Sequence, residues 1–148
     1  MQIHLITVGL LKKGPERDLI SFYDKQIKWA VTETQIDARR YPSQKDWQSE
    51  IDRHLSDGGM SIFMDEQGKN LTSRDFADRF EKWQLNGQSK INIVIGGADG
   101  FSKDFKKKAD MLLSFGQMTW PHMLARAMLY EQIYRAQQIL ANHPYHRD

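Results

Sequence analysis

The residues of this chain best suited to chemistry lie in its last third. After a long helical segment comes Asn142-His143-Pro144-Tyr145-His146-Arg147. Simple fraying of a helix end would not demand those types. His146 and Tyr145 can move protons, and Arg147 can hold a phosphate or a developing negative charge. Two glycine-bearing segments precede them. Gly96-Gly97 breaks the run Ile91-Asn92-Ile93-Val94-Ile95, and Phe115-Gly116-Gln117-Met118-Thr119-Trp120 closes a second apolar run. A glycine pair after a buried strand lets backbone approach a ligand without Cβ interference, although an ordinary tight turn uses the same residues. Apolar and aromatic side chains on a loop can wall the flat face of a nucleobase while backbone groups read its edge; a core plug is the competing reading. His122, after Pro121, suits capping or orienting that loop, and a metal role for it lacks ligand partners at suitable spacing. No nucleophile–base arrangement of the Ser-His-Asp kind is present, so covalent catalysis is unsupported.

The elements that must position these residues alternate along the chain. Ile3, Leu5, Ile6 and Val8 form a first strand ending at Gly9. Pro15-Glu16 opens a helix with Leu19, Ile20, Tyr23 and Ile27 at helical spacing. A weak alternation over 31–41 predicts an edge strand. Pro42-Ser43 opens a polar helix through Trp47, Ile51 and Leu55, closed by Asp57-Gly58-Gly59. A strand over 60–65 leads to a loop over 66–70. Thr72 with Asp75 has the spacing of a capping box, opening a helix with Phe76, Phe80 and Trp83 on one face and Asn86-Gly87 at its end. The strand at 91–95, a short basic helix over 103–108 and a strand over 111–115 follow. The last helix takes Thr119 as N-cap and Pro121 in its first turn.

Strands alternating with helices predict a single α/β domain over residues 1–148 with a mostly parallel sheet flanked by helices. Ligands of such sheets bind beyond the carboxyl ends of the strands, which points to the loops after Met64-Asp65, Ile95 and Phe115. Gly96-Gly97 is not a G-x-G-x-x-G fingerprint, which speaks against a dinucleotide enzyme such as a dehydrogenase. In the last helix Ala125, Met128, Leu129, Ile133, Ala136 and Leu140 form an apolar stripe, while Arg126, Tyr130 and Tyr134 form a second face. A self-associating helix in a two-fold homodimer would explain both faces. Glu131 and Arg135 stand at i,i+4 in the favourable order for a local ion pair.

Composition narrows the class. The chain has 148 residues, 40% hydrophobic and 27% charged, which suits a soluble domain with a real core. It has no Cys, hence no disulfide and no thiolate metal site. No apolar run approaches the ~18 residues of a membrane span, and the N-terminus lacks a signal-type pattern, which fits the cytoplasm. The net charge of +2 is mild, so a nucleic-acid partner must use local clusters such as Lys12-Lys13, Arg39-Arg40, Lys103 with Lys106-Lys107-Lys108, and the tail. Each cluster taken singly also reads as a solvated face.

Together the motifs are specific. Ile93-Val94-Ile95-Gly96-Gly97-x-x-Gly100, Leu113-Ser114-x-x-x-Met118-Thr119-x-Pro121-His122, Glu131-Gln132-x-Tyr134-Arg135-Ala136 and Tyr145-His146 resemble the RlmH (YbeA-like) family. Val8-Gly9 and Gly68-Lys69 extend the likeness over the full length. These are small SPOUT-class methyltransferases that use S-adenosylmethionine. The resemblance implies a trefoil α/β knot, which periodicity could not have shown because knots are nearly absent from proteins. It implies a homodimer, and methylation of N3 of a pseudouridine in helix 69 of 23S rRNA on assembled ribosomes. It further implies cofactor binding by Met64, Gly96, Phe115, Gly116, Gln117, Met118, Thr119 and Trp120, with catalysis by Tyr145, His146 and Arg147. Met64 stands where the family commonly has Leu, and Gly116, Gln117 and Ala98-Asp99 stand at variable positions. A methyltransferase acting on tRNA and a non-catalytic RNA-binding dimer are the competing readings.

Overall fold

The computed structural model describes residues 1–55 and 58–147. The elements are β1 (Gln2–Val8), α1 (Pro15–Asp24), β2 (Ala30–Ile36), α2 (Gln44–His54), β3 (Met60–Asn70), α3 (Ser73–Leu85), β4 (Lys90–Ile95), α4 (Lys103–Lys106), β5 (Met111–Ser114) and α5 (His122–Leu140). The strands lie in the order β2-β1-β4-β3-β5, and every neighbouring pair is parallel. Alternating residues of each strand point to opposite faces. Leu5, Ile62, Ile91 and Ile93 therefore join Ile20 of α1, Phe76 and Phe80 of α3 and Leu129 and Ile133 of α5 in one core. Ile6, Val8, Phe63 and Val94 join Trp47 and Ile51 of α2 and Phe101 and Phe105 near α4 in the other. Burial on both faces explains why the strand at 91–95 is so uniformly apolar. No helix among the described residues is long and apolar enough to cross a membrane.

Four local expectations need correction. β2 ends at Ile36 instead of reaching Tyr41, because the Asp37 carboxylate accepts the Arg39 backbone N–H and its carbonyl accepts those of Arg40 and Tyr41, curling the chain into a turn. The segment 66–70 is not a loop but the end of β3. Its register breaks between Met64 and Lys69, after which Lys69 and Asn70 pair with Leu113 and Ser114 of β5. Gly68 permits this approach, since a Cβ there would sit 2.6 Å from the Leu112 backbone. The last helix starts at His122 with Pro121, not Thr119, as its N-cap. The residue before a proline is driven out of the helical region, so Trp120 cannot be helical and Thr119 lies too early to cap. α2 ends at His54 with Leu55 as its C-cap, short of the expected close at Asp57-Gly58-Gly59, of which Asp57 lies outside the described residues. The capping box at Thr72 is present, with both reciprocal bonds to Asp75.

The second face of α5 is also used differently from expectation. Arg126, Tyr130 and Tyr134 are buried within the single chain and are not left over for a partner. Arg126 is fully buried and donates through Nη2 to the Gly9 carbonyl at 2.7 Å, while Nη1 lies 3.4 Å from Glu33 Oε1. Glu33 also accepts from the Thr7 hydroxyl at 2.9 Å and the Tyr130 hydroxyl at 3.1 Å. Tyr134 packs on Tyr23 of α1 and on Tyr145. One guanidinium thus ties α5 to the residue after β1 and to the middle of β2.

Removing one member of such a buried pair strands the other charge. Arg126→Met, similar in bulk, should lower the unfolding free energy in urea by about 3 kcal/mol, whereas Lys107→Met on the surface should change it by less than about 0.5 kcal/mol.

Candidate active site

The three predicted loops emerge side by side. Met64 of β3 is in register with Ile95 of β4 and Leu113 of β5. Gly96 follows Ile95 directly, and Phe115 comes two residues after Leu113, so all three positions share the carboxyl edge of adjacent strands. Gly96 is buried, and a Cβ there would lie 2.9 Å from the Phe101 ring and 3.3 Å from Trp47. Only a residue without a side chain fits. Its carbonyl accepts a hydrogen bond from His122 Nε2 at 2.8 Å, so His122 fixes the loop after β4 to the start of α5. Burial, assisted by the nearby Arg126 charge and opposed by the Gly96 bond, lowers the His122 pKa below its ordinary 6.5. The ring is neutral at pH 7, with its proton on Nε2.

The segment 115–120 is held by its own backbone. Ser114 Oγ accepts the Gly116 N–H at 3.1 Å and donates to the Gly116 carbonyl at 2.8 Å, and Gly116 adopts φ 110°, open to glycine. Trp120 Nε1 donates to the Phe115 carbonyl at 3.1 Å, folding the indole back over the loop. Gln117, Met118 and Thr119 project into solvent with Trp120, and Met118 is 74% exposed. An apolar chain so exposed suits a contact surface better than a core plug.

A cleft of about 550 Å³ opens beside this loop, between the N-terminus of α3, the end of β5 and α5. Its walls include Asn70, Ser73, Phe76, Phe115, Gly116, Met128, Glu131 and Gln132. That volume is in the range of small-molecule sites. Of the predicted cofactor residues only Phe115 and Gly116 border it. Met64 and Gly96 do not, because Gly96 packs toward Trp47 and Phe101 on the opposite face of the sheet. Ser73 and Gln132 were not anticipated; Ser73 Oγ donates to Gln132 Oε1 at 2.8 Å across the cleft floor. The signal for them was present in the capping box, which places residue 73 at a helix start, and in Glu131-Gln132, which reads locally as an ion-pair segment.

The tail folds back on α5. Tyr145 OH donates to Glu131 Oε1 at 3.0 Å, and its ring stands edge-on to Tyr134 with centroids 4.8 Å apart. The Arg135 guanidinium lies 4.8 Å over the Tyr145 ring, and its Nη1 donates to His146 Nδ1 at 3.2 Å. Burial first, then hydrogen bonding with Tyr23 and the Glu131 carboxylate, hold the Tyr145 phenol above its ordinary range. These contacts anchor the Tyr145 phenol against α5. Arg147 is exposed. The structure thus joins the tail to the cleft through Glu131, which belongs to both.

The basic clusters are less free than they look in sequence. Lys106 pairs with Asp65 at 2.8 Å, Lys107 with Asp104 at 3.0 Å, Lys108 with Asp52 at 2.5 Å, and Arg39 with Asp37 at 3.2 Å. Lys12, Lys13, Lys103, Arg40 and Arg147 are exposed and stand in none of these pairs.

A protein-family model described as "Predicted SPOUT methyltransferase" matches residues 1–146. A Rhodospirillum centenum protein named ribosomal RNA large subunit methyltransferase H is 44% identical over 151 residues, covering 99% of this chain and 99% of its own. Proteins of the same name from Rhizorhabdus wittichii and Erythrobacter litoralis are 39% identical over 150 residues and 40% identical over 149 residues. These cover 100% and 99% of this chain, respectively, and 99% of each relative.

Protonation of His122 is disfavoured in the folded state, so the unfolded chain binds more protons as pH falls. Stability should be intact above the ordinary pKa of 6.5 and decline as pH drops below it. His4, also lowered by burial, adds to that decline. In urea titrations at pH 7 and pH 5, His122→Asn should lose less stability between the two than the parent chain. A loss as large in the variant would contradict this role of His122.

Proposed function

The chain belongs to the SPOUT methyltransferase family, and from that membership we propose that it transfers a methyl group from S-adenosylmethionine to large-subunit ribosomal RNA. The observation that supports the site assignment is the register of β4, β3 and β5, which sets Met64, Gly96 and the start of the 115–120 segment at one carboxyl edge, with Phe115 and Gly116 bordering the cleft. Full-length similarity to proteins named for methylation of the large-subunit RNA supports the substrate. The proposed target is N3 of a pseudouridine in helix 69 of 23S rRNA, met on assembled ribosomes in the cytoplasm. The same membership supports a trefoil knot at the carboxyl edge and a homodimer.

The residues that would hold the cofactor are Met64, Gly96, Phe115, Gly116, Gln117, Met118, Thr119 and Trp120. The fit rests on a cleft of suitable volume bordering Phe115 and Gly116, and on the exposed side chains of the adjoining segment 117–120. S-adenosylmethionine supplies a methyl group on a sulfonium, activated enough that alignment with a nucleophile suffices. The protein must then align the acceptor nitrogen and manage its proton. N3–H of a uracil-type ring is a weak acid, and N3 becomes nucleophilic once the proton leaves to His146 or water. Arg147, exposed on the tail, steadies the anionic ring or a neighbouring phosphate. Lys12, Lys13, Lys103 and Arg40 supply exposed positive charge for RNA.

Incubation with methyl-labelled S-adenosylmethionine and ribosomes lacking the modification should place label in 23S rRNA. Label in tRNA alone, or in no RNA, would overturn the substrate assignment. His146→Ala should lower turnover about a hundredfold while binding S-adenosylmethionine normally. Undiminished turnover would remove the tail from the chemistry.

A further inference from the structure

The cleft beside the 115–120 segment is selective in its chemistry. Leu71, Phe115 and Met128 give it partly buried apolar walls, and the polar side chains of Ser73 and Gln132 also border it. Among the described residues that line it there is no Lys, Arg or His. Its one charged side chain, Glu131, is a carboxylate that already holds Arg135. A phosphate or carboxylate entering this space would meet a like charge and no cation to offset its lost hydration. A flat, neutral heterocycle is matched by the apolar walls and the few polar groups. At about 550 Å³ the cleft has room for one.

The Gln132 amide is held one way round. A carboxylate only accepts, so the group 2.8 Å from Glu131 Oε2 is the amide nitrogen. The amide oxygen then accepts from Ser73 Oγ at 2.8 Å. Turning the amide over would set its oxygen against the carboxylate. Glu131 is itself fixed through Oε1, by Arg135 Nε at 2.9 Å and by the Tyr145 hydroxyl at 3.0 Å. A primary amide has two N–H donors and two acceptor lone pairs. The bonds to Glu131 and Ser73 use one of each. One donor and one acceptor, in a fixed sense, are left for a molecule in the cleft.

Resting on the methyltransferase reading above, we infer that the cleft takes the adenine end of S-adenosylmethionine and that Gln132 is the residue that selects this base. A glutamine amide matches adenine by accepting from its exocyclic amine while donating to the adjacent ring nitrogen. Glu131 is a positioning residue for that selection. Hypoxanthine presents an oxygen where adenine presents its amine, so it meets the Gln132 oxygen with like polarity. The pinned amide cannot turn to suit it.

The test needs binding and no turnover. S-adenosylhomocysteine, the cofactor without its methyl group, and S-inosylhomocysteine are titrated calorimetrically into the full-length protein. The parent should bind the adenosyl compound about thirtyfold more tightly. In Gln132→Leu, of similar bulk, the two affinities should come within about threefold of each other, through loss of adenosyl binding. Glu131→Gln leaves the Gln132 amide able to turn. It should keep adenosyl affinity within about threefold of the parent while inosyl affinity rises toward it. In spectra of the labelled parent, which depend on no variant, the Gln132 side-chain amide should shift with the adenosyl compound and stay still with free pseudouridine. Equal affinities in the parent would overturn the inference, as would an adenosyl preference that survives in folded Gln132→Leu. So would a Gln132 amide that answers to pseudouridine and not to the adenosyl compound. A parent that binds neither compound would defeat the cofactor reading itself, and with it the assignment of the cleft.

Discussion

The contact on which the rest depends is the buried guanidinium of Arg126. It is fully excluded from solvent, bonded to the Gly9 carbonyl and facing the Glu33 carboxylate, which also serves Thr7 and Tyr130. A charge so placed tolerates little displacement, because any shift leaves it or Glu33 unpaired in a medium of low polarity. Its effect is to fasten the first half of α5 across the carboxyl end of β1 and the middle of β2. His122, one turn earlier, adds the end of β4. The functional elements then hang from a helix whose position and rotation are fixed.

That constraint explains how one parallel sheet and its helices assemble the candidate site. The N-terminal side of α5 sets the direction of the 115–120 segment, its middle supplies Met128, Glu131 and Gln132 to the cleft, and its second half receives the returning tail. Glu131 is where these roles meet. A single carboxylate with partners from the cleft, from Arg135 and from Tyr145 converts a chain end into an ordered element. The tail is thereby bonded to the helix that follows the loop.

Much of this was legible in residue patterns because the patterns are local. The capping box at Thr72, the stop at Asn86-Gly87 and the alternation of strands and helices follow from short-range bonding and periodicity. What could not be read was set by contacts between distant segments. The extension of β3 through Gly68 depends on β5 lying against it, some forty residues later in the chain. The polar face of α5 looked like an unpartnered surface because its partners, Gly9 and Glu33, lie near the other end of the sequence. The glycine loops were found, but the cleft opens toward α3 and α5 and not toward Met64 and Gly96. Periodicity shows which residues face one way; it does not show which of two faces holds a cavity.

The central claim is that the strand ends of β4, β3 and β5, with α5 above them, form the cofactor site. Titration of isotopically labelled protein with S-adenosylmethionine tests it most directly. The account predicts saturable shifts of the backbone amides of Gly96, Gly116 and their neighbours in 115–120, together with the side-chain amide of Gln132. Shifts confined to the opposite end of the sheet, around the hollow lined by Gln2, His4 and Asn92, would contradict it.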